Sequence, residues 1–140
     1  MHMTFVKKYG LNLLLLLFAS NFLHAQSTLT INISGLKNTK GSIVLELCDS
    51  NEEVVAGVVQ EIKSPKCILT VKNLPDGKYS FRYFHDENRN SELDTRYFVI
   101  PKEGFGFSNN AKGKFGPPDY EDTVFKITGD TSVNVEPVYY

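Results

Sequence analysis

The chain has no excess of basic residues, with 15 Lys and Arg against 16 Asp and Glu in 140 residues. Without a basic patch, it lacks the electrostatic features of a protein that binds nucleic acid or anionic lipid. Only one long apolar run is present, and it lies within the first 25 residues. No second segment is therefore predicted to span a membrane.

The apolar run has the organisation of a secretory signal peptide over residues 1–25. Lys7 and Lys8 precede an apolar stretch at 11–23, and Ala25 offers a small residue for cleavage before Gln26. The product is predicted to be exported, either periplasmic or extracellular, with no stable membrane insertion after cleavage. No cysteine follows the apolar stretch, which disfavours a lipid-modified N-terminus.

The remaining residues, 26–140, have a length typical of one domain, which is enough for a single hydrophobic core. Without Lys7 and Lys8 there are 13 basic and 16 acidic residues, so the formal net charge of this part is −3. Repeats, linkers and low-complexity tracts are absent, which favours a single domain.

Cysteine is scarce, and both copies, Cys48 and Cys67, lie in the predicted domain. In an oxidising compartment two cysteines most simply pair, so a Cys48–Cys67 disulfide is predicted. Strand alternation opposes it, since Cys48 lies on the face opposite Leu45 and Leu47. The disulfide would require Cys48 at a strand end or bulge, and two separate thiols remain the alternative.

Alternating hydrophobicity and regular turns predict an all-β protein, an antiparallel β-sandwich of about seven strands. Residues 51–57 are the only plausible helical segment. The turn at 74–77 combines Pro75, which presets φ, with Gly77, which tolerates positive φ. The predicted strands cover residues 28–36, 42–48, 58–63, 66–73, 78–84, 123–128 and 132–139.

A long segment between Arg96 and Asp122 breaks the strand pattern. Its aromatic content argues against disorder and predicts an ordered loop packed on one end of the sandwich. Aromatic rings interleaved with amides suit a sugar or peptide ligand, whereas a self-packed loop whose Asn side chains bond its own backbone is the alternative. The candidate ligand-binding residues are Glu103, Phe105, Phe107, Asn109 and Asn110.

The run from His85 to Asp94 resembles a calcium-binding loop, because side-chain oxygens alternate before an apolar Leu93. The bidentate Glu of an EF-hand is missing, since Tyr97 stands there, so affinity is expected on the order of 10⁻⁴–10⁻³ M. Glu103 or Asn109 is expected to complete the shell. A solvated turn rich in Asn and Asp is the alternative. The candidate calcium ligands are Asp86, Asn88, Asn90, Glu92 and Asp94.

Several motifs resemble the exported bacterial domain-of-unknown-function family 2141. They are the turn at 74–79, the loop at 85–94, the Gly-Phe-Ser-Asn-Asn-Ala run at 106–111 and the Gly-Pro-Pro run at 116–118, followed by Phe125. The resemblance implies a transthyretin-like or immunoglobulin-like sandwich and brings no substrate or cofactor. The family usually has Gly in place of Ser91, so Ser91 must adopt a positive φ or change the path of the loop.

Two functional hypotheses follow. The first is a non-enzymatic exported module that binds structural calcium and a cell-envelope protein or glycan. The second is a hydrolase of envelope polymers that uses paired carboxylates among Asp86, Asp94 and Glu103, which would have to face each other across a cleft. His85 is the only histidine after the signal peptide, and neither a nucleophile motif nor a zinc ligand set accompanies it.

Overall fold

A computed structural model of the chain describes residues 25–140, so the predicted signal peptide lies outside the described residues except for Ala25. Ten strands form three sheets, and the described helical segments are short. The strands are β1 (Ser27–Ile33), β2 (Ser42–Cys48), β3 (Val54–Glu61), β4 (Cys67–Leu74), β5 (Gly77–Asp86), β6 (Thr95–Arg96), β7 (Ile100–Pro101), β8 (Phe105–Phe107), β9 (Phe125–Ile127) and β10 (Thr131–Val135). A 3₁₀ turn covers Ser108–Asn110, and helix α1 covers Tyr120–Thr123.

Two of the sheets enclose the hydrophobic core, as predicted for an all-β sandwich. One has the order β10-β1-β4, and the other has the order β3-β2-β5-β8, with β9 pairing to the start of β5. Alternate residues of β1 and β2 point inward because successive side chains of a strand face opposite sides of its sheet. The buried members include Leu29, Ile31 and Ile33 of β1, and Ile43, Leu45 and Leu47 of β2.

The larger sheet also carries an apolar row on its outer face. Val59 pairs with Val44, Val44 with Phe84, and Phe84 with Phe105, so these residues cross four adjacent strands side by side. Val59 is 68% exposed, and the other three are half-buried. This face is therefore less polar than is usual for the solvent side of an antiparallel sheet.

The structure corrects three details of the predicted architecture. The segment expected to be helical at 51–57 belongs largely to β3, in agreement with the strand preference of its valines. Strands β1 and β10 pair in parallel, which the distance between them along the chain permits. The long segment after Arg96 contains β7, β8, the 3₁₀ turn and α1. Within residues 25–140, no helix is both long and apolar enough to cross a membrane.

The predicted Cys48–Cys67 disulfide is absent from the structure, and both thiols are free. Cys67 begins β4 and is buried in the core, whereas Cys48 ends β2 in the other sheet. Alternate side chains of β2 face opposite sides of the sheet, and those of Leu45 and Leu47 face the core. The side chain of Cys48 therefore lies on the outer face. The register shift at Leu47/Cys48 is in the pairing with β3 and does not bring the two thiols together.

Candidate functional site

The acidic loop, residues 87–94, leaves the end of β5 at Asp86, whose side chain is almost completely buried. One carboxylate oxygen of Asp86 accepts the backbone N–H of Asn90 at 3.1 Å, and the other accepts that of Ser91 at 2.8 Å. Charge-assisted bonds of this kind satisfy the buried carboxylate and hold the far side of the loop. Gly41, at φ 71°, lets the neighbouring turn approach closely, since a Cβ there would lie 1.8 Å from the Asp86 carbonyl oxygen.

Glu103 is buried beside the same loop and joins its two ends. One oxygen of its carboxylate accepts the backbone N–H of Glu87 at 3.0 Å, and the other accepts that of Asp94 at 3.1 Å. Burial raises the pKa of Glu103, although the N–H groups of Asp94 and Glu87 act in the opposite direction. The expected approach of Glu103 to the acidic loop is therefore observed, with backbone N–H groups as its partners.

Asp94 is the point where the loop's amide side chains meet. The Nδ2 groups of Asn88 and Asn90 donate to the two carboxylate oxygens of Asp94 at 2.6 and 3.0 Å. The Oδ1 atom of Asn88 accepts the N–H of Asn90, and the Oδ1 atom of Asn90 accepts the N–H of Glu92. Three predicted calcium ligands thus converge, whereas Glu92 contributes its backbone to a local turn.

Ser91 adopts one of the two predicted outcomes, a positive φ of 64°. Arg89 has a φ of 58° in the same loop. A side chain in the left-handed region is strained compared with glycine. The bond from the Ser91 N–H to Asp86 compensates for this strain and keeps the loop path that a glycine would allow.

Within residues 25–140, no group of three or more His, Cys, Asp and Glu side chains is placed to hold a metal ion. A cation in the acidic loop would therefore depend on Asp94, the two Asn amides and the carboxylate lone pairs that Asp86 has left. Such a set of few carboxylates and neutral oxygens suits calcium better than a transition metal and predicts weak binding.

His85, just before the loop, is fully buried and has a structural role. Its Nε2 lies 2.7 Å from the Lys40 carbonyl oxygen, which can only accept, so Nε2 carries the proton. Its Nδ1 lies 2.8 Å from the Tyr139 hydroxyl, which also accepts the Lys37 N–H at 3.2 Å. These bonds tie the segment after β10 to the turn before β2.

Phe105 and Phe107 line a groove of about 300 Å³ on the outer face of the larger sheet. The rings pack edge to face with centroids 6.3 Å apart. Ser91 and Leu93 of the acidic loop line the same groove. The acidic loop and strand β8 thus form two sides of one concavity.

Sequence patterns did not reveal the rest of the groove, which comes from outward positions of β2 and β5. These residues are Val44, Glu46, Arg82 and Phe84. The Nε of Arg82 donates to the Glu46 carboxylate at 2.7 Å, which places an exposed ion pair beside the apolar row. The available signal was the presence of Val44 and Phe84 at outward positions, where an exposed sheet face usually has polar residues.

The remaining candidates, Asn109 and Asn110, bond backbone groups that are distant along the chain. The Asn109 amide donates to the carbonyl oxygens of Asp122 and Val124 at 3.1 and 2.9 Å, while Asn110 accepts the Glu136 N–H at 2.9 Å. Neither residue lines the groove in the described structure. These bonds fasten the segment to the chain just before β9 and just after β10, which differs from a loop whose Asn side chains bond only its own backbone.

A second groove of about 250 Å³ lies at the other end of the same face. Cys48, Phe107, Pro117 and Tyr120 contribute to its lining. Burial raises the pKa of the Cys48 thiol, with a smaller opposing effect from Arg82. This thiol is therefore a poor nucleophile at neutral pH.

Comparison with known proteins gives a family and no activity. No curated protein matches the chain. The model of one family, described as "Uncharacterized protein conserved in bacteria (DUF2141)", matches residues 31–136. This span contains β2 to β10, the acidic loop and both sides of the groove. The chain therefore belongs to the DUF2141 family of uncharacterized bacterial proteins.

Proposed function

We propose that the chain is an exported, non-enzymatic β-sandwich module that binds a cell-envelope glycan in the outer-face groove, next to a weak structural calcium site. The observation that carries the proposal is that Phe105 and Phe107 line the same groove as Ser91 and Leu93. A concave site with an apolar floor and a few polar groups is the usual form of a small-ligand site.

A carbohydrate suits the chemistry of this groove. The C–H faces of a sugar ring can pack on the half-buried Phe84, Phe105 and Phe107 rings. Its hydroxyl groups can exchange hydrogen bonds with the Glu46 and Arg82 side chains, which are 44% and 62% exposed. An exposed ion pair contributes little to stability, so its polar groups remain available for a ligand at small cost to the fold.

Calcium would act on the wall of the groove rather than on the ligand. Rotation of the Asn88 and Asn90 amides would turn their oxygens toward the place where their Nδ2 groups now meet Asp94. The rotation would cost the bonds that these oxygens accept from the Asn90 and Glu92 N–H groups. A bound cation would then replace two amide-to-carboxylate bonds by metal–oxygen contacts and hold the loop that carries Ser91 and Leu93. A ligand set with Asp94 as its main carboxylate, supplemented by neutral amide oxygens, predicts millimolar-range affinity.

The alternative of a hydrolase with paired carboxylates has less support. All four carboxylate oxygens of Asp86 and Glu103 accept backbone N–H groups. Among the residues that the structure describes, Asp86, Asp94 and Glu103 line neither groove. Acid–base catalysis requires such groups within reach of a substrate, and these carboxylates instead shape a loop.

Binding to an array of bacterial envelope oligosaccharides tests the proposal. Wild type should bind at least one glycan class, and Arg82→Gln and Glu46→Gln should weaken that binding with little change in melting temperature. Lys72→Gln, exposed on β4 of the other sheet, is the matched control and should bind as wild type. Absence of wild-type binding, or equal binding by all variants, would overturn the assignment of the groove.

A further inference from the structure

The hairpin formed by β6 and β7 exposes an unusual amount of apolar surface. Its two strands pair only with each other, outside both sheets of the sandwich. Tyr97, Phe98 and Val99 form its tip and are 84%, 98% and 75% exposed. Isolated exposed apolar residues are ordinary, but a continuous apolar patch marks an interaction surface.

The backbone of the tip holds two aromatic residues in an unfavourable conformation. The Val99 N–H donates to the Arg96 carbonyl at 3.2 Å, and the φ angles of Tyr97 and Phe98 are 51° and 66°. Tight hairpin turns with two positive φ angles favour Asn-Gly, and bulky residues are uncommon there. Folding alone therefore gives no reason for aromatic residues at these two positions.

The distribution of charge along the hairpin indicates what the tip meets. Over residues 95–102 the only charged side chains are Arg96 and Lys102, one on each side of the apolar tip. The adjoining carboxylates of Asp94 and Glu103 accept hydrogen bonds within the acidic loop. From its centre outward, a bilayer presents acyl chains, then an interface that favours aromatic side chains, and then phosphates that attract basic side chains. An apolar and aromatic tip flanked by two cations matches this order. The apolar tip and its two cations complement that boundary more closely than a uniformly apolar protein surface.

We propose that this hairpin is a membrane-contact element, whose Tyr97–Phe98–Val99 tip enters the headgroup–acyl boundary of a lipid bilayer while Lys102 and Arg96 face lipid phosphates. One Nη group of Arg96 donates to the Tyr140 backbone oxygen at 3.2 Å, and its remaining N–H groups are the ones assigned to phosphate. The contact is peripheral and reversible, since a few apolar side chains give only weak attachment. It thus differs from stable insertion and from the general attraction to anionic lipid that the net charge of −3 disfavours.

The absence of tryptophan from the chain allows a direct test. Phe98→Trp would place a single tryptophan, which can be excited selectively over the tyrosines, at the tip of protein recovered after export from a bacterial host. Its emission should shift to the blue on addition of vesicles of phosphatidylcholine mixed with phosphatidylglycerol. Phe115→Trp, at a fully exposed site elsewhere, should show no shift. Unchanged emission from the tip reporter would overturn the proposal.

A second variant separates membrane contact from folding. Tyr97→Asn with Phe98→Gly installs the residues that the turn prefers, so the melting temperature should stay equal or rise. Co-sedimentation with the same vesicles should fall by about tenfold or more, because attachment scales with buried apolar area. Phe115→Ser should sediment as wild type.

Two results would contradict the proposal. One is that the double variant sediments with vesicles as well as wild type does. The other is that wild type fails to sediment but self-associates with rising concentration in a manner that the double variant abolishes, which would assign the tip to a second copy of the chain.

Lys102→Gln should weaken sedimentation with phosphatidylglycerol-containing vesicles more than with phosphatidylcholine alone, and an equal effect on both would remove the assigned role of that cation.

Discussion

Glu103 accepts the backbone N–H of Asp94 at 3.1 Å and thereby fixes the end of the acidic loop to the strand region that leads into β8. The second carboxylate oxygen of Glu103 accepts the backbone N–H of Glu87 at 3.0 Å and so fixes the beginning of the loop. A single buried carboxylate thus couples the two segments that form opposite sides of the outer-face groove. The geometry of the candidate site depends on this coupling.

Loss of the Glu103 carboxylate should destabilise the protein. Glu103→Ala would leave the N–H groups of Glu87 and Asp94 without their acceptors, at a cost of roughly 2–4 kcal/mol in the free energy of unfolding. Glu103→Gln keeps one carbonyl acceptor and should cost less. Urea denaturation provides the measurement, with Glu121→Gln, exposed in α1, as the control. A Glu103→Ala protein as stable as this control would show that the clamp is unimportant.

Gly106 and Tyr83 should be coupled energetically. The Tyr83 hydroxyl is buried without a hydrogen-bond partner within the described residues, and a Cβ on Gly106 would lie 2.5 Å from it. Gly106→Ala should therefore destabilise the fold, whereas Tyr83→Phe should be neutral or stabilising by about 1 kcal/mol. In a double-mutant cycle, Gly106→Ala should cost less in the Tyr83→Phe background. Strict additivity would argue against this contact.

The two thiols should be poorly reactive and should respond to alkaline pH. Burial raises the pKa of both Cys48 and Cys67, so their alkylation by iodoacetamide should be slow at neutral pH. The rate of alkylation should continue to rise at pH values where the rate for an unburied thiol has reached its plateau. Because the unfolded thiols ionise first as pH rises, the unfolding free energy should fall in this range. Mass spectrometry should find two alkylated sites in urea without reductant. Recovery of a Cys48–Cys67 peptide under those conditions would contradict the free-thiol arrangement.

Alternating apolar residues made much of the fold predictable. Strand β2 agrees with the sequence prediction at both ends, and β1, β4 and β5 differ by a few residues. The beginning of β3 was not predicted, because a segment as short as 51–57 has too few residues to show whether its apolar positions follow a helical or a strand spacing. The parallel pairing of β1 with β10 depends on packing across the whole chain and leaves no local signal.

The candidate site was predictable in part for similar reasons. Asn88, Asn90 and Asp94 are close in sequence, so the convergence of their side chains could be anticipated from loop spacing. The proximity of Glu103 was also expected, but its role as a clamp on two backbone N–H groups depends on tertiary structure. Strand register decides that Val44, Phe84 and Phe105 form a row, and no local pattern specifies register between strands this distant in sequence.

Calcium titration followed by thermal denaturation is the decisive measurement of whether the acidic loop, as proposed, is a weak calcium site in the wall of the groove. Wild type should gain about 1.4 kcal/mol of unfolding free energy at a calcium concentration tenfold above the dissociation constant. Asp94→Asn should abolish the gain, while Asp122→Asn, exposed in α1, should retain it. A wild-type melting temperature that does not change at millimolar calcium, or an equal gain in Asp94→Asn, would show that the acidic loop is not a calcium site.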